Sequence, residues 1–208
     1  MNVLGIGAHY DDLELGCGGT LIKHVMNGDN VTMLVVTKSG YKNPKGNTIR
    51  EDKLAFQEGL KASKIIVAKL VRLEYETFFV HYDETLTSRI MHLIEELKIE
   101  TIYTHWCYDI HRDHQNVAKC SMMAGRNVSR FLMYRSNHYD TERPFNGNFY
   151  SDISDVIERK YEAIKIHESE LKRVKYKWLN FVETQNANDG QKIGVKFAEC
   201  FEIVRYLT

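Results

Sequence analysis

The chain has little in it that would break or staple it. Proline occurs only at Pro44 and Pro144 in 208 residues, and no Ser/Gly-rich stretch or internal repeat interrupts the sequence. No interdomain linker is therefore indicated, and residues 1–208 fit a single domain. Four cysteines (Cys17, Cys107, Cys120, Cys200) lie scattered without C-x-x-C spacing, which argues against a thiolate zinc site and gives no disulfide framework. Neither charge is in excess, with 28 basic against 28 acidic residues. A nucleic-acid binder normally carries a basic surplus, so no nucleic-acid partner is expected. No window approaches the roughly 18 apolar residues of a membrane span. The apolar opening Met1–Ala8 is too short for a signal peptide and lacks a basic flank. The expectation is a reduced, cytoplasmic, soluble chain.

Hydrophobic residues make up 43%, and with 13 glycines this is an ordinary share for a chain that buries a core. The pattern alternates strand and helix. Short β-branched runs at 3–7, 31–37, 65–73, 101–105 and 131–134 read as strands. Helical spacing occupies the stretch from about Gly16 to Asn27, then 49–61, 85–98 and 114–124, with a long charged helix expected over 155–175. Residues 38–47 read as a polar loop. Such alternation predicts an α/β fold, Rossmann-like, with a mostly parallel sheet flanked by helices.

Two reactive clusters fall where strands end. Ala8-His9-Tyr10-Asp11-Asp12 follows the first strand, and Asp109-Ile110-His111-Arg112-Asp113-His114 follows the strand 101–105. Ligands of open parallel sheets bind along the carboxyl ends of the strands, so the clusters are expected to face one another across that edge. Imidazole and carboxylate suit a borderline divalent cation, and His9, Asp12 and His114 supply two nitrogens and an oxygen for a three-ligand catalytic site. Asp11 is then placed to act as general base, and His111 to donate to a developing oxyanion or leaving amine. Asp113 or Asp109 is expected to hold the His111 ring in orientation. Each cluster alone has a bland reading, since an Asp before a helix is usually an N-cap. Together, at two strand ends, they favour metal-assisted hydrolysis of an acyl bond.

At these residues the sequence resembles the PIG-L/LmbE-type family of zinc-dependent N-acetylglucosamine deacetylases. AHYDDLELGCGGT (Ala8–Thr20) is similar to the family's A-H-P-D-D segment with its acidic residue and G-G, and DIHRDH (Asp109–His114) to its D-x-H-x-D-H. SDISDVIERKYEAIKIHES (Ser151–Ser169) and AECFEIV (Ala198–Val204) look like its two closing blocks, so the likeness spans nearly the whole chain. The resemblance implies metal ligation by His9, Asp12 and His114, with Zn2+ or Fe2+ as the cofactor. It implies Asp11 as base, His111 as the charged group facing the tetrahedral intermediate, and Arg50 holding sugar hydroxyls. The implied reaction is removal of an acetyl group from an N-acetylamino sugar or glycoside. An amidase on a glucosamine-containing thiol conjugate, a phosphoesterase and a silent sugar- or nucleotide-binding domain are the rivals. The implied partner is a small amino-sugar substrate, and a homo-oligomer is left open. Three positions depart from the pattern: Tyr10 replaces Pro, Lys53 replaces Glu, and Glu170 replaces Gln.

The remaining features have quieter readings. Gly16, Gly18 and Gly19 are expected to let a helix pack close to the sheet rather than to bind a dinucleotide, because acids occupy the place of the pyrophosphate. His167 and His105 are candidate neighbours of the site, whereas His24, His81, His92 and His138 read as structural. Tyr41, Trp106, Tyr108 and Tyr139 lie near the active edge, and the basic run 172–177 reads as a solvated face.

Overall fold

The computed structural model describes all 208 residues. Its centre is a seven-stranded sheet, and the order of elements explains where a ligand can sit. β1 (Asn2–Gly7) leads into α1 (Asp12–Met26), β2 (Asn30–Thr37), the short hairpin β3 (Tyr41–Lys42) and β4 (Thr48–Arg50), α2 (Asp52–Ile66) and β5 (Lys69–Tyr75). The second half runs α3 (Glu84–Glu96), β6 (Thr101–His105), α4 (Arg112–Ala124), β7 (Arg130–Tyr134) and β8 (Phe149–Asp152). It closes with α5 (Ile157–Lys165), α6 (Glu168–Arg173), α7 (Lys177–Ile193) and β9 (Ala198–Tyr206). Strands lie in the order β5-β2-β1-β6-β7-β9-β8. β1, β2, β5, β6 and β7 are mutually parallel, and β9 pairs antiparallel with both β7 and β8.

The chain winds outward from β1 to β5, then returns to the other side of β1 with β6. The switch point therefore falls between β1 and β6, where the crossovers diverge and leave a crevice. The central strands are buried along almost their whole length because both sheet faces are covered. One core packs Leu4, Ile6, Ile102 and Phe131 against α3 and α4. The other packs Val3, Met33, Tyr103 and Leu132 against α1, α2 and α5. β5 lies at a sheet edge and carries Lys69, Arg72 and Glu74, charges of the kind that discourage further strand pairing.

Gly16 shows how closely α1 approaches the sheet. A Cβ there would lie 2.1 Å from the Tyr134 ring, whose hydroxyl donates to the Ile6 carbonyl at 2.8 Å. Three local differences from the sequence reading have physical causes. The charged stretch 155–175 is two helices rather than one, broken at Ile166–His167 where a histidine turns into the interior. The polar loop 38–47 contains β3, which pairs with β4. α2 extends to Ile66, stopped by Val67 in the left-handed region (φ 66°), and this delays β5 to Lys69.

Candidate active site

His9, Asp11 and Asp12 occupy the turn from β1 into α1, and His111, Asp113 and His114 the turn that opens α4 after β6. Adjacent, parallel β1 and β6 thus bring together residues about a hundred positions apart. Asp11 has φ 126°, a region that L-residues avoid. Strain of this kind persists only when the surroundings enforce it. Here it separates two consecutive carboxylates, the Asp12 side chain meeting the imidazoles and that of Asp11 meeting Arg50.

Three donor groups converge. His9 Nδ1 lies 3.2 Å from His114 Nε2. The Asp12 carboxylate lies 3.2 Å from His114 Nε2 and 3.4 Å from His9 Nδ1. A tetrahedral zinc ion bound at about 2.0–2.2 Å needs donors about 3.3–3.5 Å apart, so the set fits such an ion. Asp12, His105 and His114 form a second possible set, as do His9, His111 and His114. Both are weaker as ligand sets. His105 Nε2 already accepts the Ala8 N–H at 3.0 Å, and His111 Nδ1 accepts the Asp113 N–H at 3.2 Å. A nitrogen lone pair so used is not free for a cation.

Carboxylates stand behind both imidazoles of the converging set. Asp113 Oδ2 accepts from His9 Nε2 at 3.0 Å, and Asp109 Oδ2 lies 3.2 Å from His114 Nδ1. Asp113 is itself fixed by the Phe78 and Val80 N–H groups, and Asp109 by Asn137 and the His111 N–H. The two carboxylates thus back His9 and His114 rather than His111, and it is the Asp113 N–H that holds the His111 ring. Carboxylate–imidazole pairs of this kind are the usual support for a bound metal.

The charge states follow from burial and these neighbours. Burial pulls the His9 imidazolium down, but hydrogen bonds to Asp113 and Asp12 outweigh it and raise its pKa to about 9. Burial opposes and Asp12 and Asp109 favour the charged His114, which is raised to about 10. His111 moves the other way: burial and the adjacent His9 and His114 push it down to about 3. It is therefore a neutral ring, with its proton on Nε2 because Nδ1 is an acceptor. The charge that the resemblance implies at this position is disfavoured by burial and by the two adjacent imidazolium rings. Burial lifts Asp11 to about 7 against the pull of Arg50.

Arg50 lines the cavity above the cluster, with its Nη atoms taken up inside the protein and its Nε unpartnered. Its guanidinium is buried and donates to Asp11 Oδ2 at 3.2 Å, the Tyr10 carbonyl at 3.1 Å and Glu58 at 2.9 Å. Glu58 in turn accepts from the Ser169 N–H and hydroxyl, while buried His167 bridges Arg50 (3.4 Å) and Glu14 (3.2 Å). Glu58 carried no motif signal, since a lone helical Glu reads as a surface residue, whereas Glu14 is the acidic residue of the first motif. Tyr10 is accommodated because Gly59 of α2 leaves room for its ring, which a Cβ would approach to 2.1 Å. Glu170 accepts from the Tyr41 hydroxyl at 3.0 Å and from Arg173 at 2.7 Å.

Above the cluster lies a cavity of about 290 Å³, walled by Tyr41, Phe78, Ile110, His138, Tyr139 and Trp178 and reaching Asp11, His111 and Arg173. Tyr41 and Tyr139 thus stand where the sequence suggested, Tyr108 does not line it, and His138 does despite its unremarkable sequence context.

The fold and cluster define an open α/β protein with imidazole and carboxylate donors converging at the switch point of its sheet. The chain belongs to the PIG-L family, whose model, described as GlcNAc-PI de-N-acetylase, matches residues 4–125. An uncharacterized deacetylase, YaiS, of Escherichia coli is 27% identical over 172 residues, covering 79% of this chain and 86% of its own. Diacetylchitobiose deacetylase of Thermococcus kodakarensis is 25% identical, covering 97% and 82% respectively. The solved N,N'-diacetylchitobiose deacetylase of Pyrococcus horikoshii superposes with a TM-score of 0.84 at 21% identity, covering 98% of this chain and 83% of that one. That likeness is one of fold. No helix is long and apolar enough to cross a membrane.

Proposed function

We propose that the chain is a metal-dependent hydrolase that removes the acetyl group from an N-acetylamino sugar or glycoside, giving acetate and a free amine. The observation that carries this reading is the convergence of His9 Nδ1, His114 Nε2 and Asp12 at 3.2–3.4 Å beside a raised carboxylate, Asp11. His9, Asp12 and His114 would hold zinc or ferrous iron, which supplies Lewis acidity and lowers the pKa of bound water towards about 7.

The chain's own groups do the rest. Asp11 accepts the proton of the water that attacks the amide carbonyl, and a carboxyl near pH 7 is well matched to that work. Arg50 holds the Asp11 carboxylate in place. His111 donates from Nε2 to the carbonyl oxygen as negative charge develops there. Because His111 is neutral, giving up that hydrogen would leave an imidazolate. Asp11, now protonated, is therefore the acid that returns the proton to the departing nitrogen. The aromatic walls offer faces on which a sugar ring can lie, and about 290 Å³ sits at the small end for ligand sites.

The test is acetate and amine release from a panel of N-acetylated glycosides, nucleotide sugars and lipid-linked sugars with zinc or ferrous iron supplied. Asp11→Ala should keep its metal and lose about two to four orders of magnitude in kcat. His9→Ala should lose the metal itself on elemental analysis. An Asp11→Ala protein as active as the parent refutes the assigned base, and no amide turnover across the panel refutes the reaction.

A further inference from the structure

Phe78 holds a backbone conformation that its side chain opposes. The segment between β5 and α3 turns at Glu76–Phe79, closed by the Phe79 N–H donating to the Glu76 carbonyl at 3.2 Å. Phe78 is third in that turn and has φ 72°. A turn with positive φ at this place normally takes glycine or asparagine, because a bulky side chain crowds the backbone there. The ring therefore sits at position 78 against a local penalty, and strain of this kind gathers where a side chain is put to use. It lines the cavity above the donor cluster.

Two contacts show what the conformation brings about. The Phe78 N–H donates to Asp113 Oδ2 at 2.7 Å, the oxygen that also takes His9 Nε2. The ring meanwhile lies along His111, with centroids 5.6 Å and planes 31° apart, and the Tyr41 ring meets it edge-on at 5.5 Å. A glycine could make the first contact as well as phenylalanine can; only the second needs the ring. His111 has little else to hold it. Its one side-chain hydrogen bond, from the Asp113 N–H to Nδ1 at 3.2 Å, fixes a single ring atom and leaves the plane of the ring to packing. The aromatic neighbours that set this plane are His9, His114 and Phe78. The two imidazoles belong to the donor cluster, so Phe78 is the neighbour outside it.

We propose that Phe78 is a positioning residue, whose ring holds the His111 imidazole in the plane that aims Nε2 at the carbonyl oxygen of the substrate. The inference rests on the hydrolase reading, which gives His111 that task. The strained turn then has a use: it lays the ring on His111 while keeping the N–H on Asp113. One residue thereby aligns the oxyanion donor and the carboxylate behind His9.

The test separates the ring from the backbone. Phe78→Gly and Phe78→Asn remove the ring but suit the positive φ, so both should keep a Tm close to the parent's and bind zinc as the parent does. Their kcat should fall about ten- to a hundredfold with KM little changed, as for a donor misplaced by about 1 Å. Phe78→Tyr keeps the ring and should keep the kinetics. In a His111→Ala background the ring-removing substitutions should cost less than about twofold, since no donor remains to be aimed. Ring 13C relaxation of His111 in the zinc-supplied protein gives a readout without turnover, the His111→Ala spectrum supplying its assignment. The order parameter of that ring should fall in Phe78→Gly and Phe78→Asn and hold in Phe78→Tyr. An unchanged kcat, a loss confined to KM, a loss that persists in full without His111, or an unchanged His111 order parameter overturns the proposal. If no amide in the panel is hydrolysed while the His111 ring still loosens, the hydrolase reading fails and the hold of Phe78 on His111 stands.

Discussion

Replacing Asp113 tests whether the carboxylate behind His9 sets the affinity for metal. Asp113 Oδ2 takes two donors, His9 Nε2 at 3.0 Å and the Phe78 N–H at 2.7 Å, while Oδ1 takes only the Val80 N–H at 3.3 Å. An Asn side chain would turn its carbonyl oxygen to the corner with two donors. His9 would keep its Nε2 proton and leave Nδ1 free, so Asp113→Asn loses the charge but not the tautomer. Alanine removes the acceptor altogether, and His9 is then free to carry its proton on Nδ1, the atom that faces Asp12 and His114. Loss of such a support typically lowers metal affinity about 10–100-fold, or about 1.4–2.8 kcal/mol. Asp113→Ala is expected in that range and Asp113→Asn within about threefold of the parent. Zinc titration against a competing chelator measures both. Alanine also orphans the Phe78 and Val80 N–H groups, at about 1–3 kcal/mol for a buried donor. A fall in Tm of about 2–4 °C per kcal/mol should therefore accompany the lost affinity. A folded Asp113→Ala protein that binds zinc as tightly as the parent refutes the reasoning.

Other perturbations probe separate parts of the molecule. Lys160 and Glu199 form a buried ion pair at 2.7 Å, and Glu199 also caps the Gly19 and Thr20 N–H groups beyond the break in α1 at Cys17. Lys160→Met leaves that carboxylate unpaired and should cost about 3–5 kcal/mol in urea unfolding; a loss below 1 kcal/mol would contradict the assignment. Gly16→Ala drives a methyl group into the Tyr134 ring and should destabilise by about 1–3 kcal/mol or more, read as a lowered Tm. A Tm equal to the parent's would mean that α1 can move away from the sheet. The pH dependence of metal binding follows from His9 and His114, whose folded pKa values of about 9 and about 10 lie above the ordinary imidazole value. Protonation therefore stabilises the metal-free fold fully below about pH 6.5, and this contribution is lost as pH rises through 9 to 10. A cation at His9 Nδ1 and His114 Nε2, 3.2 Å apart, must displace the protons these rings carry when charged. Apparent zinc affinity should rise steeply, by about tenfold per pH unit for each proton released, from pH 6 to 8, checked by calorimetry in buffers of different ionisation heat; a flat profile would show that no ligand proton is released.

The sequence by itself determined the parts whose signal is local. Val31–Thr37 is apolar and β-branched and Thr101–His105 is rich in β-branched residues, so both read locally as strands, and their alternation with helices indicates a mostly parallel sheet. His9, Asp11 and Asp12 lie within four residues, as do His111, Asp113 and His114, so their place at two strand ends was legible from spacing. Tertiary structure alone decided how those side chains are partnered. The Asp113 carboxylate backs His9 while its N–H holds His111, and Arg50 pairs with Asp11 and Glu58. The physical reason is that propensity and periodicity act over a few residues, whereas a buried donor takes whichever acceptor the fold brings within about 3 Å.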